Sequence, residues 1–112
     1  MKTVLVLTGD GINCERETAF AFQQAGFRAD IKHLNDVIAK SKKEKVLDRY
    51  SALALPGGFS FGDDLTSGKL LAIKIRHGLG WDLNRYAKEG GLVLGVCNGF
   101  QALIRLGVFG MD

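Results

Sequence analysis

Three short runs rich in Val, Leu and Ile, residues 3–7, 52–55 and 92–96, each give way to a glycine-bearing or turn-forming stretch, and this repeated handover constrains the fold more than any other feature of the sequence. Apolar runs of this length without polar alternation suit strands covered on both faces, so all three predict buried parallel strands. Residues 27–34 differ. There Ala29, Ile31 and His33 alternate with Arg28, Asp30 and Lys32, which predicts a more exposed strand towards a sheet edge.

Helical patterns fill the gaps. Asn13 is expected to cap a first helix, with Glu15 and Glu17 in the first turn, where the helix dipole favours them, and Ala19, Phe22 and Gly26 on one face. This helix should run to about Ala25 and stop at Gly26. Further helices are expected over 67–77, 81–88 and 100–106, punctuated by Gly78, Gly80, the Gly90-Gly91 pair and Gly107. Strands alternating with helices predict an α/β three-layer sandwich around a mostly parallel, flavodoxin-like sheet with right-handed crossovers. With 112 residues, 46% hydrophobic content and no repeat or linker, residues 1–112 read as a single domain.

The charge balance, 15 basic against 12 acidic residues, concentrates its excess in residues 40–45. Because no aromatic residue interleaves with these lysines, they read as a solvated helix face, and nucleic acid is not an expected partner. The first residues show no signal-peptide pattern and no apolar run approaches about 18 residues, so a cytoplasmic protein without a membrane span is expected. Cys14 and Cys97 are far apart and form no zinc spacing with the two histidines, so free thiols and no metal are expected.

The stretch from Leu92 to Gln101 carries the chemistry. A strand runs into Gly95-Val96-Cys97-Asn98-Gly99 and directly on into a helix, the context that makes such a pentapeptide a nucleophile elbow. Gly95 and Gly99 remove Cβ atoms that would clash in so tight a turn, and the sulfur then stands at a helix start that favours the thiolate. A second turn, Pro56-Gly57-Gly58, follows the neighbouring apolar run. In a doubly wound sheet the two loops converge, so the Asn98 amide and one from the glycine pair, assigned to Gly58, can form an oxyanion hole. The plainer alternatives are a small buried cysteine at a strand end and an ordinary Pro-Gly-Gly turn.

Residues 95–103 (Gly-Val-Cys-Asn-Gly-Phe-Gln-Ala-Leu), 56–64 (Pro-Gly-Gly-Phe-Ser-Phe-Gly-Asp-Asp) and 11–18 (Gly-Ile-Asn-Cys-Glu-Arg-Glu-Thr) together resemble the class I glutamine amidotransferases. The similarity is greatest to the branch that supplies ammonia for formylglycinamidine ribonucleotide synthesis in purine biosynthesis. It implies that Cys97 attacks the carboxamide of L-glutamine, and that Gly57, Gly58, Phe59 and Gln101 bind the substrate. It also implies a synthetase subunit that uses ATP and magnesium, with a small accessory subunit as a further partner, and no cofactor in this chain. The family activates its cysteine with a histidine and a glutamate downstream, yet residues 98–112 contain neither. The resemblance therefore covers the amino-terminal half of such a domain, cut short after the nucleophile strand and its helix, and the chain alone is expected to be inactive. His33 and His77 are weak substitutes. Rival readings are a non-catalytic module that binds the synthetase, and an elbow-cysteine hydrolase or chaperone, in which a histidine commonly occupies the place of Asn98.

Overall fold

The computed structural model describes residues 2–9, 14–57, 71–96 and 98–107, with the backbone alone at position 98. Four strands, β1 (Thr3–Thr8), β2 (Arg28–His33), β3 (Ala52–Leu55) and β4 (Leu92–Gly95), form one parallel sheet in the order β2-β1-β3-β4. Alternation along each strand divides the core in two. Val4 and Val6 of β1 and Ala52 and Ala54 of β3 face α1 (Glu15–Gln24), which contributes Ala19 and Phe22. Leu5, Leu7, Leu53 and Leu55 point to the other side. There they meet α2 (Leu34–Ser41), a 3₁₀ turn (Val46–Arg49), a π-helical segment (Lys74–Leu79), α3 (Leu83–Lys88) and α4 (Asn98–Arg105). The result is the expected three-layer α/β arrangement. All eight β1 and β3 residues named are fully buried, so the two middle strands anchor both cores.

β4 departs from its expected burial. It is an edge strand among the described residues, and its alternation leaves Leu92 and Leu94 exposed on the α1 side, continued by Val96 beyond the strand. An apolar run thus marks sheet membership without fixing cover on both faces. β2 forms the other edge, as its charge alternation implied.

Helix limits also shift. The first helix is capped from position 14, with no side-chain cap bond; instead Thr18 Oγ1 donates to Cys14 O at 2.8 Å, and Asn13 lies outside the described residues. The helix ends as read, with Gly26 at φ 93°. Residues 81–82 precede α3, because Asp82 accepts the Arg85 N–H at 3.1 Å and so fixes the start. The last helix begins at Asn98, two residues earlier than read, directly at the elbow, and Gly107 at φ 77° follows its end. Of the 67–77 helix, residues 67–70 lie outside the described region, while 71–73 are α-helical and a π-helical stretch then runs on to Leu79.

The lysine-rich stretch is not a helix face. α2 ends at Ser41, so Lys42, Lys43 and Lys45 lie in the turn that leads to the 3₁₀ segment, with the Lys43 and Glu44 N–H groups both donating to Lys40 O. Glu44 is taken up by Arg49 at 2.6 Å and Lys40 at 3.8 Å, and Glu89 by Arg85 at 3.2 Å.

Two tyrosines tie these parts to the sheet. Tyr50 donates to Asp30 Oδ2 at 3.1 Å, and Tyr86 donates to the Tyr50 carbonyl at 2.7 Å. Burial, followed by the Asp30 hydrogen bond and charge, raises the Tyr50 pKa; burial and then the Asp48 charge push Tyr86 up to about 12. A folded-state pKa above the unfolded value of 10.0 means that, as pH climbs from 10 towards 12, the unfolded chain gives up a proton that the folded chain keeps. Stability contributed by Tyr86 is therefore complete below pH 10 and declines above it. Urea midpoints measured across this range should fall more steeply in the parent chain than in Tyr86→Phe, and parallel slopes would contradict this assignment.

Candidate active site

The sheet order reverses direction at β1, with β2 on one side and β3 on the other, so a crevice is expected beyond the carboxyl ends of β1 and β3. Three chain segments meet there. The Cys14 N–H, at the start of α1, donates to Gly57 O at 3.3 Å, which joins the loop after β1 to the turn after β3. Pro56 and Gly57 are buried beneath this junction.

The third segment is the strand-to-helix bend after β4. The Val96 N–H donates to Leu55 O at 3.0 Å, holding the end of β4 against the end of β3. The Gly99 N–H then donates to Val96 O at 2.9 Å, closing a tight turn into α4. Both glycines are required by contact. A Cβ on Gly95 would lie 2.7 Å from Leu103 Cδ1 and 2.8 Å from the Gly99 carbonyl, and one on Gly99 would overlap the backbone carbonyl of Leu55. Real Cβ atoms do not approach backbone so closely, so the bend exists only with glycine at both positions. This is the steric signature of a nucleophile elbow, and it abuts the strand that carries Gly57.

Of the residues singled out from the sequence, Gly57 is buried at the crevice, the Asn98 backbone opens α4, and Gln101 lies half-buried in the next turn. Cys97, Gly58 and Phe59 lie outside the described residues. Gln101 Oε1 is sealed from water and has no hydrogen-bond partner among the described residues. His33 is occupied otherwise, its Nδ1 accepting the Asn35 N–H at 3.0 Å as the cap of α2, and His77 is exposed in the π-helical segment. Among the described residues, neither is joined to the bend by a hydrogen bond.

Two participants were not singled out from the sequence. The Leu55 carbonyl is the point on which the bend rests, and a main-chain acceptor has no sequence signal. Glu15, read as a dipole-favoured first-turn residue within the 11–18 motif and given no role at the site, has a buried carboxylate oxygen, Oε2, with no hydrogen-bond partner among the described residues.

A glycine-pinned bend at the carboxyl end of a parallel sheet, beside Pro56 and Gly57, defines an α/β domain of the nucleophile-elbow type. Residues 1–111 match the CobB/CobQ-like glutamine amidotransferase domain, and the chain belongs to that family. It is 51% identical over 108 residues to phosphoribosylformylglycinamidine synthase subunit PurQ of Methanococcus maripaludis, covering 96% of this chain and 39% of that protein. The same subunit of Dehalococcoides mccartyi is 43% identical over 104 residues, with 93% and 40% covered. The chain thus spans about two-fifths of the length of these relatives. Among solved structures, a chain of PurLQS from Thermotoga maritima superposes with a TM-score of 0.70 at 34% identity, over 95% of this chain and 44% of that one. A putative protease I from Bacteroides thetaiotaomicron, 18% identical with a TM-score of 0.66 over 96% of this chain and 70% of that one, shares the fold.

Proposed function

We propose that the chain is the nucleophile-bearing part of a glutaminase that releases ammonia for formylglycinamidine ribonucleotide synthesis in purine biosynthesis. The observation that carries this reading is the elbow itself: a bend that admits only glycine at 95 and 99, packed on the strand leading to Gly57, in a chain of the glutamine amidotransferase family.

Cys97 is the nucleophile. Its thiolate attacks the side-chain carbonyl carbon of L-glutamine, forming a carbon–sulfur bond and a tetrahedral oxyanion. Collapse of that intermediate breaks the carbon–nitrogen bond, and the nitrogen leaves as ammonia after receiving a proton. Water then cleaves the glutamyl thioester to glutamate and regenerates the thiol. The Asn98 amide lies in the first turn of α4, where N–H groups have no intrahelical acceptor, so it can donate to the oxyanion together with Gly58. Gly57, Gly58, Phe59 and Gln101 bind the substrate; the unpartnered Gln101 Oε1 needs a donor, which the substrate supplies. Because the described histidines are a helix cap and an exposed helical residue, the histidine–glutamate pair comes from polypeptide outside this chain, and the chain alone is inactive. The ammonia goes to a synthetase partner that uses ATP and magnesium, with a small accessory subunit completing the complex.

A chloroketone analogue of glutamine tests the assignment on the full-length protein assembled with its synthetase. Peptide mass spectrometry should find one adduct, on Cys97, formed in proportion to the loss of glutamine hydrolysis and prevented by excess glutamine. An intact Cys97 after prolonged treatment would remove the glutaminase reading.

A further inference from the structure

The opposite end of the sheet holds a feature that glutamine hydrolysis does not use. A cleft of about 1070 Å³ opens at the amino ends of the strands, where Lys2 precedes β1, Ser51 precedes β3 and Leu92 begins β4. It lies at the other end of β3 from Gly57, with the 4 residues of that strand, rising about 3.3 Å each, between the two, and is therefore separate from the crevice.

Its lining combines two chemistries that the sequence keeps apart. The turn after α2 brings exposed Lys42, Lys43 and Lys45 to one wall, and Lys2 adds a fourth cation. None of the four forms an ion pair among the described residues. Four carboxylates also line the cleft, Glu44 and Glu89 held in ion pairs, Asp82 capping α3 and Asp48 acting on Tyr86, so Arg85 and the four lysines leave a small positive excess. Trp81 is held ahead of α3 by the Asp82 cap and presents a half-buried indole to the same cleft. Ser41 also lines the wall, and its hydroxyl oxygen is buried with no hydrogen-bond partner among the described residues. Buried hydroxyls are seldom left unpaired.

We infer that this cleft binds a nucleoside phosphate, with the phosphate among Lys42, Lys43, Lys45 and the Ser41 hydroxyl and the base stacked on Trp81. Lysines held in a turn supply charge-assisted donors for a dianion, and an indole face takes any planar base. The cleft is large enough to admit a small organic ligand.

Calorimetric titration of the full-length protein with AMP should give a saturable response that weakens as salt is raised. Adenosine and inorganic phosphate, each supplying one half of the ligand, should bind at least about tenfold more weakly than AMP, since each forfeits either the charged contacts or the stack. Replacing Lys42 and Lys45 together with alanine should weaken AMP binding about tenfold or more, whereas Lys32→Ala, on β2 and away from the cleft, should leave it unchanged. No saturable response to AMP, or a response that the Lys42 and Lys45 substitutions do not alter, would overturn the assignment.

Discussion

Gly99→Ala should lower the stability of this domain by at least about 1–3 kcal/mol, the usual penalty for overpacking a tight site, and should slow chloroketone capture at Cys97 of the full-length protein about a hundredfold or more, as misplacement of a reacting group by about 1 Å does. The added methyl would overlap the Leu55 carbonyl, a main-chain group that also accepts the Val96 N–H, so no side-chain rotation can relieve the clash. Either α4 tilts away from β3 or the end of β4 moves, and each movement disturbs the residues that flank Cys97. The thermal midpoint should fall by several degrees, at about 4–8 °C per kcal/mol for a domain near this size. Alkylation rate and melting temperature read the two effects separately. A variant that matched the parent in both would show that the bend is not held as described. Gly95→Ala should be milder, because one of its nearest neighbours, Leu103 Cδ1, is the end of a side chain that can shift.

The glycine-bearing bend was legible in the sequence because part of its cause is local. The end of β4, the bend and the start of α4 are contiguous, and Gly95 answers to contacts with Gly99 and Leu103, whereas Gly99 answers to Leu55 of β3, remote in sequence. The end of α1 and the edge position of β2 were legible too, through Gly26 and the charge alternation of residues 28–33. Other features depend on partners distant in sequence. The burial of β4 was overestimated because an apolar run does not say which neighbours cover it; Val93 packs against the helical layer while Leu92 and Leu94 on the opposite face remain exposed. α2 follows β2 without a connecting residue, His33 serving as strand end and helix cap at once, so no break in pattern announced it. Its early end at Ser41 placed the lysines in a turn, where they line one cleft with Trp81, 36 residues beyond Lys45 in sequence. The π-helical segment had no signal of its own. Gly78 lies against Ile38 of α2, close enough that a Cβ would stand 3.0 Å from its Cδ1, and that closeness is a property of packing between two helices.

Leu53→Ala is expected to be the most destabilising truncation among the described residues. Leu53 is fully buried on β3, paired in register with Leu5 on one side and Val93 on the other, and it faces the side of the sheet that packs the greater number of helices. Removing a buried leucine side chain to alanine costs about 2–5 kcal/mol, towards the upper end where the surroundings cannot collapse into the space. Backbone hydrogen bonds on both edges hold β3 in place, so collapse is restricted. Since small domains are stable by only about 5–15 kcal/mol, this one change can leave much of the population unfolded at physiological temperature. Leu92→Ala provides the contrast: it removes the same atoms from the same sheet, but Leu92 is 55% exposed, and a change of about 0.5 kcal/mol or less is expected. Denaturant titrations of the two variants therefore measure the asymmetry between the central strand and the edge strand. Comparable losses would mean that the exposed face of β4 is covered in solution, whereas a large loss for Leu53 alone ties the support of the crevice to β3, the strand that carries both the Leu55 carbonyl and the Gly57 turn.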